Sequence, residues 1–116
     1  MPVITRFAPS PSGPLHVGHL LAALQARRLA DAHDGRCLLR VEDIDQRAQH
    51  PEYLALMYED LAWLGLSFDG EVMVQTRRFE VYRAVLEQLR QQGLLYPCFC
   101  TRTEIKTQVA EMGRAP

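Results

Sequence analysis

The chain has 116 residues, 47% of them apolar and 23% charged, with a net charge of −1. That suffices for one small globular domain with a real core, and the near-neutral balance gives no general nucleic-acid-binding footprint. The longest apolar stretch, 20–30, is broken by Gln25, Arg27 and Arg28 and is too short to span a bilayer.

No basic segment followed by an apolar one stands at the N-terminus, so no secretory leader is expected. The three cysteines are odd in number and two lie one residue apart, which does not make a disulfide framework. A reducing cytoplasm is the expected location. Internal repeats and low-complexity segments are absent from the sequence.

In chain order, a short apolar strand is predicted over 3–8. Pro9, Pro11, Gly13 and Pro14 then interrupt regular structure, and a helix begins near His16. Strand, tight loop and helix N-terminus make a natural phosphate site. The first amide N–H groups of a helix lack intrahelical partners, and the helix dipole adds positive charge there. His16 and His19, three apart, share one side of that first turn and can donate to phosphate oxygens. Gly18 carries no side chain, so a flat ligand could approach the backbone.

The helix over 20–33 is apolar nearly all round, which suits packing on a sheet. Asp34-Gly35 supplies its stop, with Gly35 expected as the left-handed cap. A strand follows over 37–41. Strand, helix and strand make a βαβ unit with parallel strands and a right-handed crossover. Ligands in such sheets bind beyond the carboxyl ends of the strands. The loop up to His19 and the run Glu42-Asp43-Ile44-Asp45 both fall there. Three carboxylates in four residues are open to two readings, a solvated acidic loop or a holder of Mg²⁺.

Pro51 is suited to opening the next helix, over 51–65. Its stripe of Leu54, Met57, Leu61 and Leu64 reads as core. A strand over 72–74 and a helix over 79–92 come next, the latter with Phe79, Tyr82, Leu86 and Leu89 on one face and Gly93 as cap. Arg77, Arg78, Arg83 and Arg90 either meet RNA phosphates or form a solvated face. Cys98-Phe99-Cys100 can give two thiolates to Zn²⁺, whereas a structural zinc site takes four ligands and no second pair is present. Cys37 on its strand reads as a small buried hydrophobe. Thr101 and Glu104 form a capping box opening a further helix.

His16-Val17-Gly18-His19 resembles the HIGH signature of class I aminoacyl-tRNA synthetases. The preceding Arg6-Phe7-Ala8-Pro9-Ser10-Pro11-Ser12-Gly13 is similar to the glutamyl branch of that class. Arg40-Val41-Glu42-Asp43-Ile44-Asp45 resembles its R-x-E-D-x-D stretch. Within the branch, Glu42-Asp43-Ile44-Asp45, Phe68-Asp69-Gly70 and Cys98-Phe99-Cys100 resemble the glutamyl-Q tRNA(Asp) synthetases best. His19 departs from that subgroup, many of whose members have Ser. The resemblance covers about residues 3–105.

The resemblance implies an α/β, Rossmann-like catalytic domain, here its N-terminal half over 1–97, with a truncated zinc-knuckle segment over 98–116. It implies activation of glutamate by ATP to glutamyl-adenylate, with transfer to the queuosine base of tRNA(Asp). Pro9, His16, Gly18 and His19 would hold ATP. His16 and His19 would stabilise developing phosphate charge, with Mg²⁺ on the leaving pyrophosphate. Arg6, Phe7, Ala8, Pro9, Ser10 and Glu42 would line the glutamate pocket. There Arg6 faces the substrate carboxylate, for which a guanidinium fork is suited, and Glu42 faces the α-ammonium group. Cys98 and Cys100 would be zinc ligands, but the family's later Tyr and Cys ligands do not follow Cys100. Nor does a KMSKS-like loop occur, so the 116-residue piece alone is expected to be inactive. The competing readings are an ordinary glutamyl- or glutaminyl-tRNA synthetase, a nucleotide-binding module without catalysis, and a small zinc-dependent RNA-binding domain.

Overall fold

The computed structural model describes residues 2–45 and 50–113. Positions 114–116, the end of the expected zinc-knuckle segment, lie outside them. The elements in order are β1 (Ile4–Phe7), α1 (Val17–Asp31), β2 (Arg36–Val41), α2 (Pro51–Trp63), β3 (Met73–Val74), a 3-10 turn (Gln75–Arg78), α3 (Phe79–Gln91) and α4 (Arg102–Glu111). No described helix is long and apolar enough to cross a membrane. By packing, the chain divides into two compact units, Met1–Phe79 and Glu80–Pro116.

The first unit holds a parallel three-stranded sheet in the order β1-β2-β3. Ile4 pairs with Arg36 and Phe7 with Leu39, while Arg40 pairs with Met73 and Val41 with Val74. The parallel βαβ arrangement is thus as expected. Strand β2 is central and alternates: Cys37, Leu39 and Val41 are buried, and Leu38 and Arg40 are half-buried. Its inward face meets Phe7 of β1, Ala23 of α1, and Met57 and Leu61 of α2 in one core cluster. Leu15, Leu54, Leu66, Phe68, Val72 and Val74 pack around it.

Helix α1 is less enclosed than its composition suggests. Ala23 and Ala30 are fully buried, whereas Leu21 and Leu29 are more than half exposed. Small alanines let the helix lie close to the sheet, and the Thr5 hydroxyl donates to the Ala26 carbonyl at 2.8 Å. The stop after α1 also differs from expectation. Asp34 takes the left-handed conformation, with φ of 48°, and Gly35 does not. Gly35 is required for a different reason: a Cβ there would stand 2.2 Å from the Val3 carbonyl oxygen. That contact is where the chain re-enters the sheet, and Arg36 N–H donates to the same oxygen at 2.9 Å. Gly65 does end α2, with φ of 67° and Leu66 N–H bonded to the Leu61 carbonyl at 3.0 Å.

A polar clamp fastens the amino end of β2. Asp69 Oδ2 accepts from Cys37 N–H and from Arg27 Nη1, each at 2.7 Å, and Asp69 N–H donates to the Cys37 carbonyl at 2.8 Å. Arg27 also bonds Asp31 at 2.5 and 2.8 Å, so α1, the 66–70 loop and β2 share one network. The Cys37 N–H donor, and after it the Arg27 guanidinium, hold the Asp69 carboxyl below its ordinary value of 3.8. Beside it the Phe68 ring stacks on Phe7 at a centroid distance of 6.4 Å.

The second unit buries no described residue. Helix α3 has the predicted stripe, yet Leu86 is 51% exposed, so that face is amphipathic without being a core. Gly93 caps it with φ of 71°. Helix α4 opens with the predicted box: Glu104 N–H donates to Thr101 Oγ1 at 3.3 Å and Thr101 N–H to Glu104 Oε2 at 2.6 Å.

Two outcomes follow from this packing. Replacing Gly35 by Ala should lower the unfolding free energy by about 2–4 kcal/mol in urea titrations, because the oxygen it strikes is backbone; a loss under about 0.5 kcal/mol would contradict the close approach. The Asp69 carboxyl binds its proton more weakly in the native than in the unfolded chain. Its stabilisation is therefore present above the ordinary carboxylate value and is lost as pH falls through the lower native one. Melting curves of Asp69→Asn should lie below those of the parent at neutral pH, and the gap should close in acid. A gap independent of pH would contradict the clamp.

Candidate active site

The carboxyl ends of β1 and β2 bring the two predicted loops together. Glu42 N–H donates to the Pro9 carbonyl at 2.9 Å, so the signature loop and the acidic loop are joined by backbone. Pro9 and Pro11 are buried, which holds that loop rigid. Arg6 and Ser10 are exposed and Ala8 is half-buried. Arg6 has no hydrogen bond or ion pair among the described residues, so its guanidinium is open to a ligand. The Phe7 ring is only 6% exposed and lies in the core, which limits any part in a glutamate pocket to its backbone.

The two half-buried acids of the run, Glu42 and Asp43, bond to separate partners, while Asp45 is exposed. Glu42 Oε1 accepts from Arg40 Nε at 3.0 Å and closely from Nη2. Asp43 turns elsewhere: Oδ1 accepts from Thr76 N–H at 3.0 Å and Oδ2 from the Thr76 hydroxyl at 2.6 Å. Asp45 is engaged as well. No three His, Cys, Asp or Glu stand together as metal donors among the described residues.

At the start of α1 the structure modifies the expected phosphate site. His16 is the N-cap, in extended backbone with φ of −112°. Its Nδ1 accepts from Gly18 N–H at 3.1 Å, and His19 Nδ1 accepts from His16 N–H at 3.3 Å. The two rings lie 3.8 Å apart between centroids, tilted by 32°. The histidines thus satisfy a backbone amide of the first turn that the sequence leaves free for an anion. Because each Nδ1 accepts, each neutral ring carries its proton on Nε2. Two Nε2–H groups at a helix N-terminus, where the dipole favours negative charge, are the donors left for a phosphate. Gly18 makes room for the His16 ring: a Cβ would meet it at 3.0 and 3.1 Å.

Cys98 and Cys100 are free and exposed in the second unit, and Cys37 is buried in the first. Among the described residues no third donor stands beside these two thiols, and two alone do not complete a structural zinc site. A groove of about 290 Å³ lies along β3, lined by residues including Glu71, Met73, Arg77 and Arg78. None of the residues predicted for ATP or glutamate lines it.

Sequence reasoning missed Asp43 with Thr76, Asp69 with Arg27, and Gln75, whose buried Oε1 has no hydrogen-bond partner among the described residues. The first pair had a signal. Each residue stands two places beyond the last paired residues, Val41 and Val74. That signal is usable only once the register is known.

The parallel α/β sheet carries its proline-rich loop, histidine-capped helix and oriented carboxylate at its carboxyl edge, where sheets of this kind bind ligands. Residues 2–115 match the family model described as tRNA synthetases class I (E and Q), catalytic domain, and the chain belongs to that family. It is 51% identical over 104 residues to a glutamyl-Q tRNA(Asp) synthetase of Rhodobacter capsulatus, covering 90% of this chain and 37% of that protein. It is 44% identical over 111 residues to glutamate–tRNA ligase 1 of Nitrosococcus oceani, covering 96% of this chain and 24% of that protein. A crystal structure of a glutamate tRNA ligase from Elizabethkingia meningosepticum, in complex with its amino acid, superposes with a TM-score of 0.78 at 31% identity. That match covers 100% of this chain and 25% of the other. The fold is accordingly that of a Rossmann-like class I catalytic domain. The chain spans about a third of the length of the glutamyl-Q relatives it matches.

The imidazole arrangement has a spectroscopic consequence. In ¹⁵N spectra His16 should show the Nε2–H tautomer, and Gly18→Ala should give a mixture of tautomers by pushing the ring off the amide. Unchanged ring shifts in the variant would contradict the contact.

Proposed function

We propose that the protein carrying this chain activates glutamate with ATP and transfers it to the queuosine base of tRNA(Asp). The carrying observation is the bond from Glu42 N–H to the Pro9 carbonyl, which links an oriented carboxylate to the loop that leads into the two histidines. In this reading Arg6 binds the carboxylate of glutamate that stays unreacted, through a guanidinium open to ligand. Glu42, held by Arg40 through one carboxylate oxygen, offers the other to the α-ammonium group. The reacting carboxylate attacks the α-phosphorus of ATP in line and pyrophosphate leaves. His16 and His19 donate Nε2–H to phosphate oxygens as charge develops. Pro9 and Gly18 shape the backbone beneath the nucleotide. Mg²⁺ bound to ATP would supply charge neutralisation at the pyrophosphate. The protein's contribution is positioning and charge stabilisation.

The glutamyl-Q relatives, 45–51% identical among the three compared, support the queuosine step. The 44% identity to a glutamate–tRNA ligase supports a second reading, charging of tRNA(Glu). Three free cysteines agree with action in a reducing cytoplasm.

Glutamate-dependent ATP–pyrophosphate exchange on the intact protein tests the reading. Exchange without tRNA is expected. Exchange only after tRNA is added would favour the ordinary ligase. His16→Ala and His19→Ala should each lower the exchange rate by roughly 10²–10³-fold; unchanged exchange in either would remove that residue from the mechanism.

A further inference from the structure

We propose that Asp43 and Thr76 are a positioning pair that sets the affinity for glutamate by fixing the backbone of Glu42. The inference deepens the glutamate-activating reading and rests on it. Strands β2 and β3 end their ladder at Val41 and Val74. Two residues beyond each end, the ladder is replaced by a side-chain clamp. Asp43 accepts from Thr76 N–H at 3.0 Å and from the Thr76 hydroxyl at 2.6 Å, using both carboxylate oxygens.

Thr76 N–H belongs to the opening turn of the 3-10 segment, which has no side-chain cap of its own. Asp43, from a neighbouring strand end, supplies that cap. Both partners are half-buried, and hydrogen bonds to an ionised carboxylate are the strong kind. Glu42 therefore stands between two anchors. Its own N–H is bound to the Pro9 carbonyl at 2.9 Å, and the residue after it is bound to Thr76. Its carboxylate meets Arg40 through Oε1, leaving Oε2 to the substrate. Freeing the second anchor lets the Glu42 peptide turn and misdirects that oxygen. Nothing in the clamp touches His16, His19 or Gly18, so the ATP side stays intact.

The test is pyrophosphate exchange by the intact protein with glutamate and ATP varied separately. Asp43→Asn should raise KM for glutamate by roughly tenfold, with KM for ATP and kcat within about twofold. Thr76→Val, which keeps the amide and loses the hydroxyl, should move the same constant in the same direction by less. Thr76→Ser should restore the parent value. The double variant should be no worse than Asp43→Asn, since both changes break one contact. Should Asp43→Asn fail to fold, Thr76→Val against Thr76→Ser decides. An unchanged KM for glutamate in Thr76→Val, with the parent active, would overturn the positioning role. So would a parallel shift of both KM values and kcat accompanied by a lower melting temperature. A parent protein with no glutamate-dependent exchange would overturn the glutamate-activating reading, and this inference with it.

Discussion

The hydrogen bond from Glu42 N–H to the Pro9 carbonyl is the contact on which the site depends. It is possible because β1 and β2 are adjacent and parallel, so their carboxyl ends lie side by side. It matters because Pro9, Pro11 and Pro14 carry no N–H and so remove three donors from that loop. The carbonyl of Pro9 ties that loop to the residue after β2. A loop that leads straight into the α1 N-terminus thereby shares a backbone bond with a carboxylate 33 positions further on.

Around that bond the polar groups divide the labour by end of the sheet. At the amino end of β2, Asp69 joins Arg27 and Cys37 and holds α1 to the strand. At the carboxyl end, Asp43 joins Thr76 and holds β2 to β3. The apolar cluster of Phe7, Ala23, Leu39, Val41, Met57 and Leu61 lies in the same unit. Both carboxylates tie segments more than 30 positions apart, which explains why neither is recognisable as structural from its neighbours in sequence.

The histidines illustrate a second constraint. A helix N-terminus presents unpaired amides, and the sequence places two imidazoles there. Here the His16 ring takes the Gly18 amide, and the His19 ring takes the amide of His16 itself. Gly18 favours that folding-back, since a Cβ there would stand 3.0 and 3.1 Å from the His16 ring and crowd it.

Local order was determined by the sequence. Helix starts, the stops at Gly65 and Gly93, the Thr101–Glu104 capping box, the alternation of β2 and the motifs that mark the glutamate/glutamine class of tRNA synthetases are properties of short segments. Propensity, capping and turn chemistry act over a few residues and can be read there. Tertiary structure alone decided which of those residues are available to a ligand. It placed the Phe7 ring in the core, gave the left-handed position to Asp34 and the close approach to Gly35, left the outer leucines of α1 exposed, and assigned Asp43, Asp69 and Arg40 their partners. Those outcomes depend on strand register and on which carbonyl meets which Cβ, and such contacts between distant segments carry no local signature. Glu42 and Asp43, neighbours of the same charge, look alike in the sequence; Glu42 bonds to Arg40 and Asp43 to Thr76, because the register of β3 puts the Thr76 donor pair beside only one of them.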